Sequence, residues 1–352
     1  MKKHYLTFSK NIFIPVTNVC RNACGYCVFR ARSVEEAYLT SKKAFLSVVK
    51  AKGAVTEALF TAGEKPEDSN LSRWFKKKIE SVGQSSLVGY TKELCKLAIK
   101  QGLLPHCNLG VLGREELEEL REVNASMGLM LETTAPPAGT AETETEVGLE
   151  AHRNSPGKDP ALRLKTIEEA GRLKIPFTTG LLVGIGETPE DRVRSLEAIK
   201  SLHQKYGHIQ EVIIQPFVPK PGTQMWENKN KKRKRPPSFE ELKEVVRAAS
   251  EVLPGEVAIQ VPPNLTSPRE LLELVKLGAS DLGGISERTL DYINPESPWP
   301  GEEELRRVVA PFELRERLPL HPRFVKQRWF SEEVRPLVEK YADEEGFRLR
   351  TP

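Results

Sequence analysis

The sequence predicts an α/β protein built as a (β/α)8, TIM-type barrel with a helical C-terminal extension. Three observations carry that expectation. Strand-like and helix-like segments alternate from residue 11 to about residue 286, eight strand candidates can be counted, and the Pro-rich "NPESPWPGEEE" (294–304) marks where the pattern stops. Such alternation argues for parallel strands joined by crossover helices. The last two strand candidates are the shortest, so a partial six-stranded barrel is the fallback. Residues 1–300 are expected to form the barrel, and residues 301–352 an extension packed on it.

The first strand candidate, "NIFIPVT" (11–17), is apolar and rich in β-branched residues. "EALFTAGE" (57–64) is the second, followed after a charged loop by a helix through "TKELCKLAIKQG" (91–102). "LLPHCNLGVL" (103–112) and "SMGLMLETT" (126–134) flank the helical "GREELEELREVN" (113–124). The helix "DPALRLKTIEEAGRLK" (159–174) opens with Asp159 as N-cap and Pro160 in its first turn. "PFTTGLLVGIG" (176–186) then leads into a helix at 187–207, where Thr188, Pro189 and Asp191 give a capping pattern. "EVIIQPFVPKPG" (211–222), "VAIQVPPNL" (257–265) and "ASDLGGIS" (279–286) complete the strands, separated by helices at 238–253 and 267–278. The last segment has helical periodicity, and its Trp329 and Phe330 read as packing residues.

Composition excludes several classes. At 352 residues, 39% hydrophobic and 29% charged, a globular chain with a sizeable core is expected. The basic start is interrupted by Thr7, Ser9, Lys10 and Asn11, so it lacks the apolar core of a signal peptide, and no apolar run approaches the roughly 20 residues of a membrane span. Without an export signal, five cysteines suit a reducing cytosol and a cytoplasmic location better than a disulfide framework. The net charge of +4 is too small to argue for nucleic acid. The run "KNKKRKR" (229–235) has no interleaved aromatics and reads as a solvated loop, with a docking patch for an acidic electron donor as the alternative.

The chemistry concentrates in "VTNVCRNACGYCVFRA" (16–31), where Cys20, Cys24 and Cys27 fall within eight residues. A structural zinc site takes four closed ligands, and no fourth lies nearby. Cys95 and Cys107 read as small core hydrophobes. A 4Fe-4S cube needs four iron ligands, so three thiolates would leave one iron open for a further ligand.

In a TIM-type barrel, loops at the carboxyl ends of the strands build the site. Glu132, ending its strand, could accept from hydroxyl or ammonium groups. Arg163 could offer a bidentate fork to a carboxylate. Gly184 and Gly186 allow close backbone approach. Gln215, Asn264 and Asp281 are polar and are expected to end the sixth, seventh and eighth strands, with His152 and Asn154 in the loop after the fourth; these are candidate substrate contacts.

The spacing C-x3-C-x-aromatic-C, with Tyr26 as the aromatic, resembles the signature of the radical S-adenosylmethionine (SAM) superfamily. The resemblance implies a 4Fe-4S cluster held by Cys20, Cys24 and Cys27, with SAM chelating the open iron and Tyr26 near its adenine. It also implies reductive cleavage of SAM to methionine and a 5′-deoxyadenosyl radical. "TAGE" (61–64) resembles the family's Gly-Gly-Glu motif, which places Gly63 and Glu64 at the SAM ammonium; Ala62 stands where the first glycine is usual. "GLLVGIGET" (180–188) resembles the glycine-containing fifth strand near the adenine.

"GYTKELCKLAIKQGLLPHCNLG", "HRNSPGKDPALRLKTIEEAG", "IIQPFVPKPGTQM", "IQVPPNL" and "GASDLGGISERTLDYINPE" narrow the branch. Over roughly residues 11 to 300 the chain is similar to the radical-SAM subunits of the 7,8-didemethyl-8-hydroxy-5-deazariboflavin synthases, which make the deazaflavin chromophore of coenzyme F(420). That resemblance implies a lyase acting on 5-amino-5-(4-hydroxybenzyl)-6-(D-ribitylimino)-dihydrouracil, with ring closure and ammonia release. It also implies a companion hydroxybenzyl-transferring subunit that supplies the substrate, and a one-electron donor such as ferredoxin or flavodoxin. Another radical SAM enzyme, akin to biotin synthase or the thiamine tyrosine lyase, is the alternative. A plain electron-transfer protein would need neither "TAGE" nor a large barrel.

Overall fold

The computed structural model describes residues 5–50, 53–139, 148–227 and 235–349. Eight parallel strands close into a barrel: β1 (Tyr5–Thr17), β2 (Glu57–Ala62), β3 (Leu104–Asn108), β4 (Ser126–Gly128), β5 (Phe177–Val183), β6 (Ile209–Pro216), β7 (Ala258–Gln260) and β8 (Asp281–Ile285). Closure falls to β1, which pairs with β2 through Asn11–Thr17 and with β8 through Thr7–Lys10. The eight-stranded architecture expected from the alternation is the observed one, and the six-stranded fallback is set aside.

The strand β1 starts six residues earlier than its apolar run suggests. Its odd positions explain why. Ser9, Asn11 and Phe13 line the barrel interior, while Phe8, Ile12 and Ile14 join the apolar core, the period-two alternation of a strand. The polar residues that interrupt the hydrophobic pattern are the ones turned inward.

Crossover helices follow the strands: α1 (Lys42–Lys50) before β2, α2 (Ser72–Ser81) and α3 (Leu87–Lys100) before β3, α4 (Arg114–Arg121) before β4, and α5 (Pro160–Arg172) before β5. Next come α6 (Pro189–Tyr206), the short α7 (Gln224–Glu227), α8 (Phe239–Val252) and α9 (Pro268–Leu277). Their starts obey local chemistry. Asp159 accepts from Ala161 N at 2.9 Å, and Thr188 and Asp191 cap one another's backbone reciprocally, as do Ser238 with Glu241 and Ser267 with Glu270. Among the described residues no helix is long and apolar enough to cross a membrane.

After the barrel come α10 (Glu302–Val308), β9 (Glu313–Glu316), α11 (Pro322–Lys326) and α12 (Arg335–Tyr341). This segment is not purely helical: β9 pairs in parallel with Tyr5–Phe8, the foot of β1. Leu318, Leu320, Phe324, Val334 and Val338 pack with Leu104 and Ala125 into a second cluster, flanked by Trp329 and Phe330. Arg317, directly after β9, is fully buried and reaches Asp281 and Glu211. Those acids sit at the amino ends of β8 and β6, so Arg317 plugs the barrel floor.

Asp281 requires a correction. It opens β8 rather than ending it, and it is wholly buried with Arg317 and Thr7 at the opposite end from the cysteine loop. The short "DLGGI" has no preceding apolar run to fix its register, so its polar first residue reads from sequence as a strand end.

Candidate active site

The cysteine loop leaves the carboxyl end of β1 and is pinned on several sides. Ala23 N donates to Asn154 O at 2.9 Å, Gly25 N to Ala151 O at 2.8 Å, and Met225 N to Gly25 O at 2.8 Å. Asn18 closes it at the base, accepting from Tyr38 N through Oδ1 at 3.0 Å and from Ala31 N through its carbonyl at 2.9 Å. Thr17 O accepts from Gly63 N at 2.8 Å, which brings "TAGE" against the loop. A Cβ on Gly63 would collide with the Val19 carbonyl and Cys20, so this turn demands glycine for close approach.

The sulfurs have directed donors. Cys20 Sγ accepts from Glu64 N at 3.2 Å and Asn22 N at 3.4 Å, and Cys24 Sγ from Ser155 Oγ at 3.3 Å. Burial pushes the Cys20 thiol up to about 12, helped by Cys24, and burial also raises Cys24. As free thiols the two are disfavoured as thiolates; a bound metal reverses that preference.

Glu64, nearly fully buried, holds the loop together. Its Oε1 accepts from Arg21 Nε and Asn22 Nδ2 at 3.0 Å each, and its Oε2 from Val111 N at 3.0 Å and Arg163 Nη1 at 3.4 Å. Burial alone would raise its pKa, but Arg163, Lys158, the Val111 amide and Arg21 outweigh it and hold the carboxyl below its usual range. Four donors fill the lone-pair sites of a carboxylate. Glu64 thus also builds the cysteine loop.

Glu132 stands on the other side of Arg163. It adopts φ +66°, uncommon for a non-glycine residue, and bridges to Leu181 in β5. Its carboxylate accepts from Tyr26 Oη, from Lys158 Nζ and from His152 Nε2, the last at 3.0 Å. Burial opposes ionisation, yet Lys158, the His152 hydrogen bond and Arg163 keep Glu132 well below the ordinary carboxylate range. Arg163 spans both acids while donating to Met130 O at 2.6 Å and Gly157 O at 2.8 Å. Around the loop, the cations Arg21, Lys158 and Arg163 exceed the two carboxylates, a balance suited to anionic ligands or thiolates.

The model of the radical SAM superfamily matches residues 14–199, over half of the chain and all of this loop. The chain belongs to the radical SAM superfamily. At 49% identity it aligns over 349 residues with a 7,8-didemethyl-8-hydroxy-5-deazariboflavin synthase of Methanococcoides burtonii, covering 98% of both chains. A protein of that name from Archaeoglobus fulgidus is also 49% identical, over 97% of this chain and 98% of its own. This places the chain within the deazariboflavin synthase family. Among solved structures, the FeFe-hydrogenase maturase HydG superposes with TM-score 0.66 at 15% identity, over 94% of this chain and 68% of its own. Methylornithine synthase PylB gives 0.56 at 19%, over 85% and 75%. Likeness at such identities shows the barrel fold and nothing finer.

Radical SAM membership implies a 4Fe-4S cluster and SAM. The loop fits the cluster. It offers three free thiols from one loop, which leaves one of the four irons open for a further ligand. The backbone N–H groups aimed at Cys20 Sγ are the kind that tune cluster thiolates.

The other expected residues scatter. Gln215, next to last in β6, lines the cavity at the mouth, and Asn264, in the turn after β7, lines a deeper one. His152 is buried behind Tyr26, against Glu132, and lines neither. Gly184 needs glycine for a local reason: φ is +99° and a Cβ would press on Pro237. Cys95 and Cys107 are buried and adjacent, with sulfurs 3.6 Å apart. The basic run falls outside the described residues except for Arg235, which pairs with Glu241. Sequence reasoning missed Lys158, Arg21 and Asn22. Lys158 lies in a Pro-Gly turn without periodicity, while the other two were in plain view between the cysteines.

Proposed function

We propose that this chain is a radical SAM lyase that forms 7,8-didemethyl-8-hydroxy-5-deazariboflavin from 5-amino-5-(4-hydroxybenzyl)-6-(D-ribitylimino)-dihydrouracil, closing the central ring and releasing ammonia. The observation that carries this reading is identity near 49% over almost the whole length of synthases of that name, in a chain with an intact cysteine loop. Cys20, Cys24 and Cys27 would hold the cluster; Tyr26, Gly63, Glu64, Glu132, Arg163 and Gly184 would border SAM. When bound, the cluster and SAM supply one-electron cleavage to methionine and a 5′-deoxyadenosyl radical. The chain itself orients and excludes. Glu64 and Asn22 fix the loop, Glu132 sets the Tyr26 hydroxyl and Lys158, and Phe13, Phe29 and Phe217 keep the mouth apolar and water-poor. A companion subunit supplies the adduct, and a ferredoxin or flavodoxin the electron. The test is an anaerobic reaction with adduct, SAM and reductant, followed by mass spectrometry. Deazaflavin and ammonia are expected; SAM cleavage without deazaflavin would return the chain to the biotin synthase-like alternative.

A further inference from the structure

The two cavities of the barrel interior meet at a throat. Beside the cysteine loop, a cavity of about 260 Å³ is walled by Phe13, Phe29, Leu182 and Phe217. Beneath it, a more polar chamber of about 180 Å³ reaches down to Arg317 on the floor. Leu59, Asn108, Met130 and Gln215 wall both. His106 in β3 pairs with Leu59 in β2, so its side chain enters the barrel at the level of that throat.

A hydrogen-bond chain fixes what His106 offers there. Ser126 Oγ gives its one proton to Pro319 O at 2.9 Å, so toward His106 Nδ1, 2.7 Å away, it can only accept. Burial pushes the imidazole pKa down to about 4, so the ring is neutral and its single proton stays on Nδ1. Nε2 is therefore a bare lone pair. Among the described residues it has no partner, yet it keeps accessible surface, unlike the sealed Nδ1 atoms of His203 and His208. Gly128 holds open the space beside it. A Cβ there would stand 3.1 Å from Nε2, and the φ of Gly128 is not positive, so no turn demands this glycine. The side-chain amides of Asn108 and Gln215 line the same throat and are likewise without partners among the described residues. One obligate acceptor with two amides able to donate is the complement of an imide edge, an N–H between two carbonyls.

We propose that His106 is a substrate-binding residue, its Nε2 accepting from the imide N–H of the pyrimidinedione ring while Asn108 and Gln215 donate to the flanking carbonyls. The assignment rests on the deazaflavin reading above and deepens it. It holds the heterocycle at the throat, so the ring to be closed sits at a fixed depth below the cysteine loop. His106 acts there by position and not by proton transfer, since an imidazole with a pKa of about 4 is a weak base.

Calorimetry on the reconstituted, SAM-bound full chain tests this with 7,8-didemethyl-8-hydroxy-5-deazariboflavin and its N3-methyl derivative, which lacks the imide proton. Wild-type protein should bind the parent compound about tenfold or more tighter than the derivative. His106→Leu removes the acceptor and leaves room for a methyl group. It should bind the parent about tenfold more weakly and discriminate the two ligands less than about twofold. His106→Gln, whose amide can present an oxygen, should recover part of the discrimination. Gly128→Ala should weaken the parent while Ser126 still orients the ring, and with the wild-type comparison it carries the test if His106→Leu fails to fold. SAM affinity should stay within about twofold in every variant. Equal affinity of wild type for the two ligands, or undiminished discrimination in His106→Leu, would overturn the assignment alone. Failure to bind either ligand in protein that still binds SAM would overturn the deazaflavin reading as well.

Discussion

Arg317 Nε lies 2.7 Å from Asp281 Oδ2, and its Nη2 lies 2.7 Å from Glu211 Oε2, joining the segment after β9 to the feet of β8 and β6. All three side chains are nearly or fully buried. Removing one member of such a group leaves uncompensated charge in a dry site, at a cost of about 3–5 kcal/mol. Arg317→Met should therefore lower unfolding free energy by that order, measured by urea denaturation of the full chain. A loss under about 1 kcal/mol would mean that water reaches the floor and screens the acids.

Glu57 gives a pH dependence of definite sign. Burial raises its folded pKa to about 7 from a usual 4.5, against the pull of Arg317 and the Ser9 hydroxyl. The folded chain then binds a proton that the unfolded chain has already lost between those values. Stability from this group falls as pH rises through that window and is gone above about 7. Glu57→Gln should flatten the slope between pH 5 and 8 and stabilise the protein at pH 8 by about 1–3 kcal/mol. An unchanged slope of melting temperature against pH would show that Glu57 is ionised throughout.

The cysteines should separate cleanly. Cys20→Ala, Cys24→Ala and Cys27→Ala should each impair iron binding on anaerobic reconstitution and abolish release of 5′-deoxyadenosine, since a cube needs four iron ligands and SAM supplies only the last. Cys95→Ala and Cys107→Ala should keep full iron content. Wild-type 5′-deoxyadenosine release from Cys24→Ala would refute the ligand set.

What was legible from sequence was local. Asp159, Thr188 with Asp191, and the cysteine loop each act within a few residues, so spacing alone places them. What was hidden depends on distant partners. Thr7, Ser9 and Asn11 look like breaks in an apolar strand until the barrel closes, turning Ser9 and Asn11 inward and setting Thr7 against Asp281. Asp281 was placed at the wrong end of β8 because five residues with two glycines carry little register information, and its Arg317 partner lies 36 positions away. His152 was visible as polar, but only the fold shows that it serves Glu132 behind Tyr26 rather than the cavity.

Glu64 and Glu132 share Arg163, yet the geometry assigns them different consequences. Glu64 binds Arg21 and Asn22, which flank Cys20, and Asn22 in turn accepts from Gly157 N at 2.8 Å. Glu64→Gln replaces one acceptor oxygen with a donor facing other donors, so the loop must move. Reconstituted iron content should fall. Glu132 instead collects Tyr26, His152, Lys158 and Arg163, none of which is a cluster ligand. Glu132→Gln should leave iron content near wild type and weaken SAM binding about ten- to a hundredfold, because charge-assisted hydrogen bonds are worth about 1.5–3 kcal/mol each. Colorimetric iron determination and calorimetry with SAM read the two effects independently. The reverse pattern, iron lost from Glu132→Gln and only SAM affinity lost from Glu64→Gln, would exchange the roles assigned to the two acids.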